Sequence, residues 1–306
     1  MKAIQVHELT LDYNGLRAVD GITFALQKGE TVGLVGESGC GKTTLGRTLV
    51  GLEKIYDGHI LFEGRDIARL SRKEFRELRR KIQIIFQDPV SSLNPRMNVL
   101  DIVTEGISEF NMMEGSRLEA ARDILEDVGL DSDALYRYPH EFSGGQRQRI
   151  NIARAVSLKP DFIVCDEPVS ALDVSIQAQI INLLLDLREK YHLSYLFISH
   201  DLGVVSHIAN RIAVMYLGRI IELGETGDII FHPKHPYTKA LLSAVPRPGV
   251  QRVRGPALEG STPSPSVPPE GCRFHPRCPE AMDVCRKEEP GETDKAGHRV
   301  SCHLYA

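Results

Sequence analysis

A chain of 306 residues, 42% hydrophobic and 25% charged, carries enough apolar material for one large domain, or one domain with a small appendix. Its formal net charge of −4 gives no electrostatic reason to expect a nucleic-acid partner. No apolar run approaches the roughly 20 residues of a membrane span, and the opening MKAIQVHELTLDYNG lacks the basic and apolar segments of a secretory signal. Action at a membrane would therefore require attachment through a partner.

The first 35 residues alternate apolar and polar positions (Ile4, Val6, Leu9, then Ile22, Phe24, Leu26) around the turn signals Asn14-Gly15 and Lys28-Gly29. This predicts short, largely antiparallel strands. TVGLVG (31–36) reads as a buried strand running into a Gly-rich loop, and 42–52 as a helix, the core order of a parallel α/β nucleotide-binding fold. After IQIIFQ (82–87), the Pro-, Asn- and Ser-rich run to about 99 is loop-like, and helical periodicity then holds to about 155. FIVCDEP (162–168) predicts a buried strand, 175–192 an amphipathic helix, 195–200 a second buried strand and 212–224 a hairpin. From about 245 the density of Pro, Gly and Ser marks a linker or an extended segment. The expected division is a domain over 1–240, with a helical subdomain over about 88–155, followed by an extension over 241–306.

Gly36-Glu37-Ser38-Gly39-Cys40-Gly41-Lys42-Thr43 fits G-x-x-x-x-G-K-[ST], with Thr44 next in line. Glycines let successive backbone N–H groups curl around phosphates, and the following helix aims its N-terminus at the same anion. Lys42 supplies positive charge to the β- and γ-phosphates, and Thr43 a hydroxyl to Mg²⁺. Cys40 reads as a small residue whose backbone N–H matters, since nothing near it marks a tuned thiolate. Asp166 and Glu167 close a strand of four apolar residues, which would deliver them to the carboxyl edge of a parallel sheet, where such sheets bind ligands. Asp166 suits Mg²⁺, and Glu167 the orientation or deprotonation of an attacking water.

Four of the six cysteines, Cys272, Cys278, Cys285 and Cys302, crowd the last 35 residues. Without a secretory signal, such a cluster favours metal over disulfides. The spacing C-x5-C-x6-C-x16-C fits neither common zinc-finger spacings nor the short ferredoxin run, and four thiolates would suit either a [4Fe–4S] cluster or structural zinc.

Further motifs resemble those of the ABC ATPases. Ser143-Gly144-Gly145-Gln146 is similar to the signature LSGGQ, with Phe142 in place of its leucine. Gln87 resembles the Q-loop glutamine, Ser170-Ala171-Leu172-Asp173 the D-loop, His200 the switch histidine, and Tyr13 the aromatic that stacks on adenine. The resemblance covers residues 1 to about 240 in the family's order. It implies a P-loop NTPase fold in which an antiparallel β subdomain and a helical subdomain flank the core. It also implies Mg²⁺ held by Thr43, Gln87 and Asp166, catalysis by Glu167, His200 and Gln87, and a Ser143–Gln146 segment serving the γ-phosphate at a partner subunit's P-loop.

QDPVSSLNPRMNV (87–99), the run 138–149, VSALDVSIQAQ (169–179), HPYTKALLSAVP (235–246) and the Cys272–Pro279 stretch are similar to ATPase subunits of dipeptide and oligopeptide permeases. Nickel and glutathione importers share that subfamily. The resemblance implies a peripheral subunit on the cytoplasmic membrane face, paired with a second, paralogous ATPase, two membrane-spanning permease subunits and an extracytoplasmic substrate-binding protein. Members with such a tail are associated with a [4Fe–4S] cluster, zinc being the alternative. Non-transport ABC ATPases fit less well. DNA-repair members need long coiled coils between their motifs, whereas about 100 residues separate Lys42 from Ser143, and ribosome-associated members carry two cassettes, whereas one P-loop is present.

Overall fold

The computed structural model describes residues 2–113, 115–244 and 263–306. Most of the expected Pro-rich linker lies outside the described residues. Along the chain, β1 (Lys2–Tyr13), β2 (Leu16–Gln27) and β3 (Thr31–Val35) precede α1 (Lys42–Leu49). Next come β4 (Asp57–Phe62), β5 (Arg65–Asp66), α2 (Arg72–Arg79), β6 (Ile82–Ile85) and the short α3 (Pro89–Ser92). The helices α4 (Val99–Glu109), α5 (Arg117–Asp127) and α6 (Gly144–Val156) lead to β7 (Phe162–Asp166), α7 (Val174–Tyr191) and β8 (Ser194–Ser199). The chain continues through α8 (Leu202–Ile208), β9 (Arg211–Tyr216), β10 (Arg219–Glu225), α9 (Thr226–Phe231), α10 (Pro236–Ala244), β11 (Glu292–Lys295) and β12 (His298–Ser301).

These elements form two compact units, the first comprising Met1–Ala3, Gln27–Glu30 and Arg69–Leu196, the second Ile4–Leu26, Thr31–Ala68 and Phe197–Ala306. β8 carries the chain from the first to the second. In the first unit β6 and β7 run parallel in the register Ile82↔Phe162 to Ile85↔Cys165. Every residue of β7 is buried, the apolar run required of a strand covered on both faces. The helices start where the sequence supplies caps. Ser116 and Glu119 form a capping box for α5, and Asn98 accepts the Asp101 N–H for α4. α3, α4, α5 and α7 pack on α6.

In the second unit, β2, β1, β4 and β5 are neighbours in that order, with β1–β4 and β4–β5 antiparallel. β1 and β2 are twelve residues each, longer than the short strands expected. Their turn is the expected one: Asn14 and Gly15 both hold positive φ (56° and 91°), the twist that a two-residue hairpin needs. β3 runs parallel to β9, which forms the anticipated hairpin with β10. β12 then pairs antiparallel with β10 (Glu222↔Val300) and with β11. This last hairpin went unread in the sequence, because its turn places Ala296 at φ 56° before Gly297, where Asn or Asp would have given the signal. The end of the chain is thus sheet structure continuous with the strands before it. A buried carboxylate reinforces the join: Glu222 accepts the Lys234 N–H (2.7 Å), the His235 N–H (3.0 Å) and His298 Nε2–H (2.7 Å).

Candidate nucleotide site

The second unit holds the phosphate loop between β3 and α1. Gly39 and Gly41 have φ of 79° and 104°. At Gly41 a β-carbon would run into the Ala18 carbonyl oxygen, so only glycine lets the loop pass there. The loop is tied down where it must not move: Gly218 N–H donates to the Cys40 carbonyl at 2.9 Å, and Glu37 N–H donates to Tyr237 Oη at 2.9 Å. Lys42 is buried and its ammonium donates to the Gly36 and Glu37 carbonyls at 2.7 and 2.9 Å, folded into the loop's own curl. Thr43 and Thr44 occupy the first turn of α1, and Ser38 and Gly39 are exposed at the loop's crest. Burial pushes the Cys40 thiol up despite the neighbouring Lys42, in keeping with a neutral packing residue.

Tyr13 ends β1, 43% exposed, with its hydroxyl donating to Glu53 at 2.9 Å. His200 follows β8 directly and is exposed. Just beyond it, the Asp201 carboxylate accepts the Gly203 and Val204 N–H groups to start α8.

The first unit collects the remaining residues. Asp166 is 2% exposed at the end of β7. Glu167 follows with φ 45°, a left-handed conformation uncommon for a residue bearing a side chain. Its Oε2 accepts the Gln87 amide Nε2–H at 3.1 Å, so residues from the ends of two parallel strands meet there. The Glu167 carbonyl accepts from Ser170 N–H (3.3 Å) and Ser170 Oγ–H (3.1 Å). Gln177 of α7 holds the same turn through the Val169 and Leu172 carbonyls.

Ser143 caps α6. Its hydroxyl accepts the Gln146 N–H at 3.4 Å, while Gln146 Oε1 accepts the Ser143 N–H at 3.0 Å, a full capping box. The signature tetrapeptide is thus a helix start, and Ser143, Gly144 and Gln146 are exposed there. A β-carbon on Gly145 would stand 2.7 Å from Ile176 Cγ2, so this glycine is demanded by packing of α6 on α7.

The tail cysteines are free thiols. Burial raises all three of Cys272, Cys278 (to about 11) and Cys302, and the nearby thiols add to it, since Cys278 feels Cys272, Cys302 and Cys285. The donor chemistry suits soft metal ligation. Their disposition does not: among the described residues no group of three or more His, Cys, Asp or Glu side chains is placed to hold a metal ion. Sequence reading missed the grip of this tail on the phosphate loop. Arg277 pairs with both carboxylate oxygens of Glu37, at 2.7 and 2.9 Å. Nothing in the spacing of one arginine 240 residues downstream could have signalled it.

Residues 19–170 match the family described as ABC transporter, and residues 221–285 that described as Oligopeptide/dipeptide transporter, C-terminal region. The chain is 53% identical over 298 residues to the oligopeptide transport ATP-binding protein AppF of Bacillus subtilis (strain 168), covering 95% of this chain and 90% of that one. The chain belongs to the ABC transporter ATP-binding family. This ABC ATPase shares its α/β P-loop fold with cbiO1 from Clostridium perfringens, part of the ABC transporter complex cbiONQ (TM-score 0.70, 28% identity, 76% of this chain and 91% of that one). It also matches the ATP-binding cassette MJ0796, whose dimer was solved in a post-hydrolysis state with ADP and Pi (TM-score 0.66, 26% identity, 73% of this chain and 98% of that one). No helix among the described residues is long and apolar enough to cross a membrane.

Proposed function

We propose that this ABC ATPase powers an importer of dipeptides or oligopeptides. The observation that carries the reading is the match of residues 221–285, a segment that begins in β10, contains Tyr237 against the phosphate loop, and ends at Cys285. Kinship with an oligopeptide transport subunit over nearly the whole chain supports it. Two permease subunits, a substrate-binding protein and a second, paralogous ATPase are the partners, with the chain peripheral on the cytoplasmic face. Residues 1–240 form the ATPase domain, with β and helical subdomains, and 241–306 its extension.

The site residues divide by chemistry. The backbone of Gly36, Ser38, Gly39, Cys40, Gly41 and Thr44 cradles the phosphates, Lys42 supplies charge, and Tyr13 offers an aromatic face for adenine. The narrow path at Gly41 and the buried Lys42 fit a phosphate ligand. Thr43, Gln87 and Asp166 would hold Mg²⁺, and the buried carboxylate of Asp166 suits a hard cation. Bound there, the ion neutralises phosphate charge. Glu167 orients and accepts a proton from the attacking water, Gln87 fixing one of its oxygens. His200 positions the water and the γ-phosphate. Ser143, Gly144, Gly145 and Gln146 offer a helix N-terminus to nucleotide on the partner ATPase. The four tail thiols carry donor chemistry that suits a [4Fe–4S] cluster, zinc being the alternative, but they form no ligand set as they stand, so no step of hydrolysis is derived from them.

Transport is tested in proteoliposomes carrying the permease subunits and both ATPases. ATP hydrolysis should rise when the binding protein is loaded with di- or oligopeptide. Stimulation by a nickel- or glutathione-loaded protein, with peptides inert, would transfer the assignment to those substrates.

A further inference from the structure

The loop between the first two tail cysteines packs, through Arg273, Phe274 and Arg277, against the phosphate loop and its supports in the second unit. Arg273 binds the Asp20 carboxylate and the Leu217 carbonyl. Phe274, 1% exposed, meets Tyr216 and Tyr237 edge-on with ring centroids 5.3 and 5.4 Å away. Arg277, its side chain 5% exposed, forks onto Glu37 (2.7 and 2.9 Å), and its guanidinium lies 6.0 Å from the Tyr216 ring centre. Glu37 is therefore gripped on three sides: Tyr237 takes its N–H, Lys42 its carbonyl, and Arg277 its carboxylate.

Glu37 is the sole acidic residue between Gly36 and Thr44. A carboxylate in a loop that takes a polyphosphate repels that ligand unless its charge is cancelled. A planar guanidinium bound to both oxygens cancels it and fixes the carboxylate's orientation, which a lysine ammonium cannot reproduce. We propose that Arg277 is a positioning residue for nucleotide binding, cancelling the charge of Glu37 and holding it away from the phosphates. The C-terminal extension is then part of what sets ATP affinity. This rests on the reading that the Lys42 loop takes the phosphates.

The test measures equilibrium binding of ATP and the KM and kcat of hydrolysis in the full chain. Arg277→Ala should weaken ATP binding about tenfold and raise KM in step, with kcat within about twofold, because a stranded carboxylate remains. Glu37→Gln added to Arg277→Ala should restore affinity to within about threefold, since the stranded charge is gone. A tail that merely braced the fold would show no such rescue, and its absence would overturn the inference. If Arg277→Ala does not fold, Arg277→Gln, which keeps length and a hydrogen bond but drops the charge, carries the same two expectations. Lys42→Ala separates the levels. If it abolishes binding while Arg277 variants bind as tightly as the parent, the positioning role fails and the site reading stands. If Lys42→Ala also binds normally, the phosphate-loop reading fails and the inference with it.

Discussion

Gln87 and Glu167, 80 residues apart, meet where the Gln87 amide donates to Glu167 Oε2 at 3.1 Å. The bond engages one carboxylate oxygen of Glu167, and the backbone that aims this side chain holds φ 45°. A residue kept in a sparsely populated conformation at a strand end costs about 1–3 kcal/mol, a cost tolerated where function needs the placement. The arrangement suits a carboxylate that must face one water in one orientation.

Glu167→Gln should therefore keep ATP binding and lower steady-state hydrolysis by about 100-fold or more, the scale of a lost general base. It should also accumulate an ATP-bound dimer, visible by size-exclusion chromatography with ATP present. Turnover equal to the parent would remove Glu167 from the catalytic role.

Gly145→Ala places a β-carbon 2.7 Å from Ile176 Cγ2. The resulting shift of α6 against α7 should cost about 1–3 kcal/mol in denaturant unfolding. Ile176→Ala in the same chain removes the opposing methyl and should recover part of that loss, giving a coupling energy in a double-mutant cycle. Additive losses would mean that the glycine is required for another reason.

His235 is buried, and desolvation holds its pKa down to about 3, with Lys239 adding to the effect. Its neutral Nδ1 accepts the Tyr237 N–H at 3.0 Å. The unfolded chain takes up a proton near pH 6.5 and the folded chain near 3, so between those values the unfolded state binds more protons and stability falls as pH drops. His235→Asn keeps an acceptor for the Tyr237 N–H but cannot titrate. Between pH 7.5 and 5, urea unfolding of the parent should lose about 2 kcal/mol more than that of the variant. Parallel losses in the two chains would show that His235 is not the titrating group.

The proposed cluster, for which the thiols have the donor chemistry but not the disposition, requires about four iron and four sulfide per chain and broad absorption near ~400 nm in anaerobically purified protein. A single zinc without colour would replace the cluster with a tetrahedral site. With neither metal, the tail would be held by the β10–β12 pairing, the Glu222 hydrogen bonds, the Phe274 ring contacts and the ion pairs of Arg273 and Arg277.

What the sequence determined by itself was local: where the strand–loop–helix of the phosphate cradle lies, and that Asp166 and Glu167 end a buried strand. Each follows from a short window, because backbone conformation, capping and burial periodicity act over a few residues. The Asn14-Gly15 turn was legible for the same reason. Tertiary structure alone decided the rest. The hydrogen bond from Gln87 to Glu167, the demand of Ile176 for a glycine at 145 and the ion pair of Arg277 with Glu37 join residues from 31 to 240 positions apart. Such pairs have no periodicity to read. They exist because β6 and β7 lie side by side, because α7 packs on α6, and because β12 returns to pair with β10. The described part of the extension, residues 263–306, is folded for that last reason: strands already in place supply the backbone partners and the buried carboxylate that it lacks.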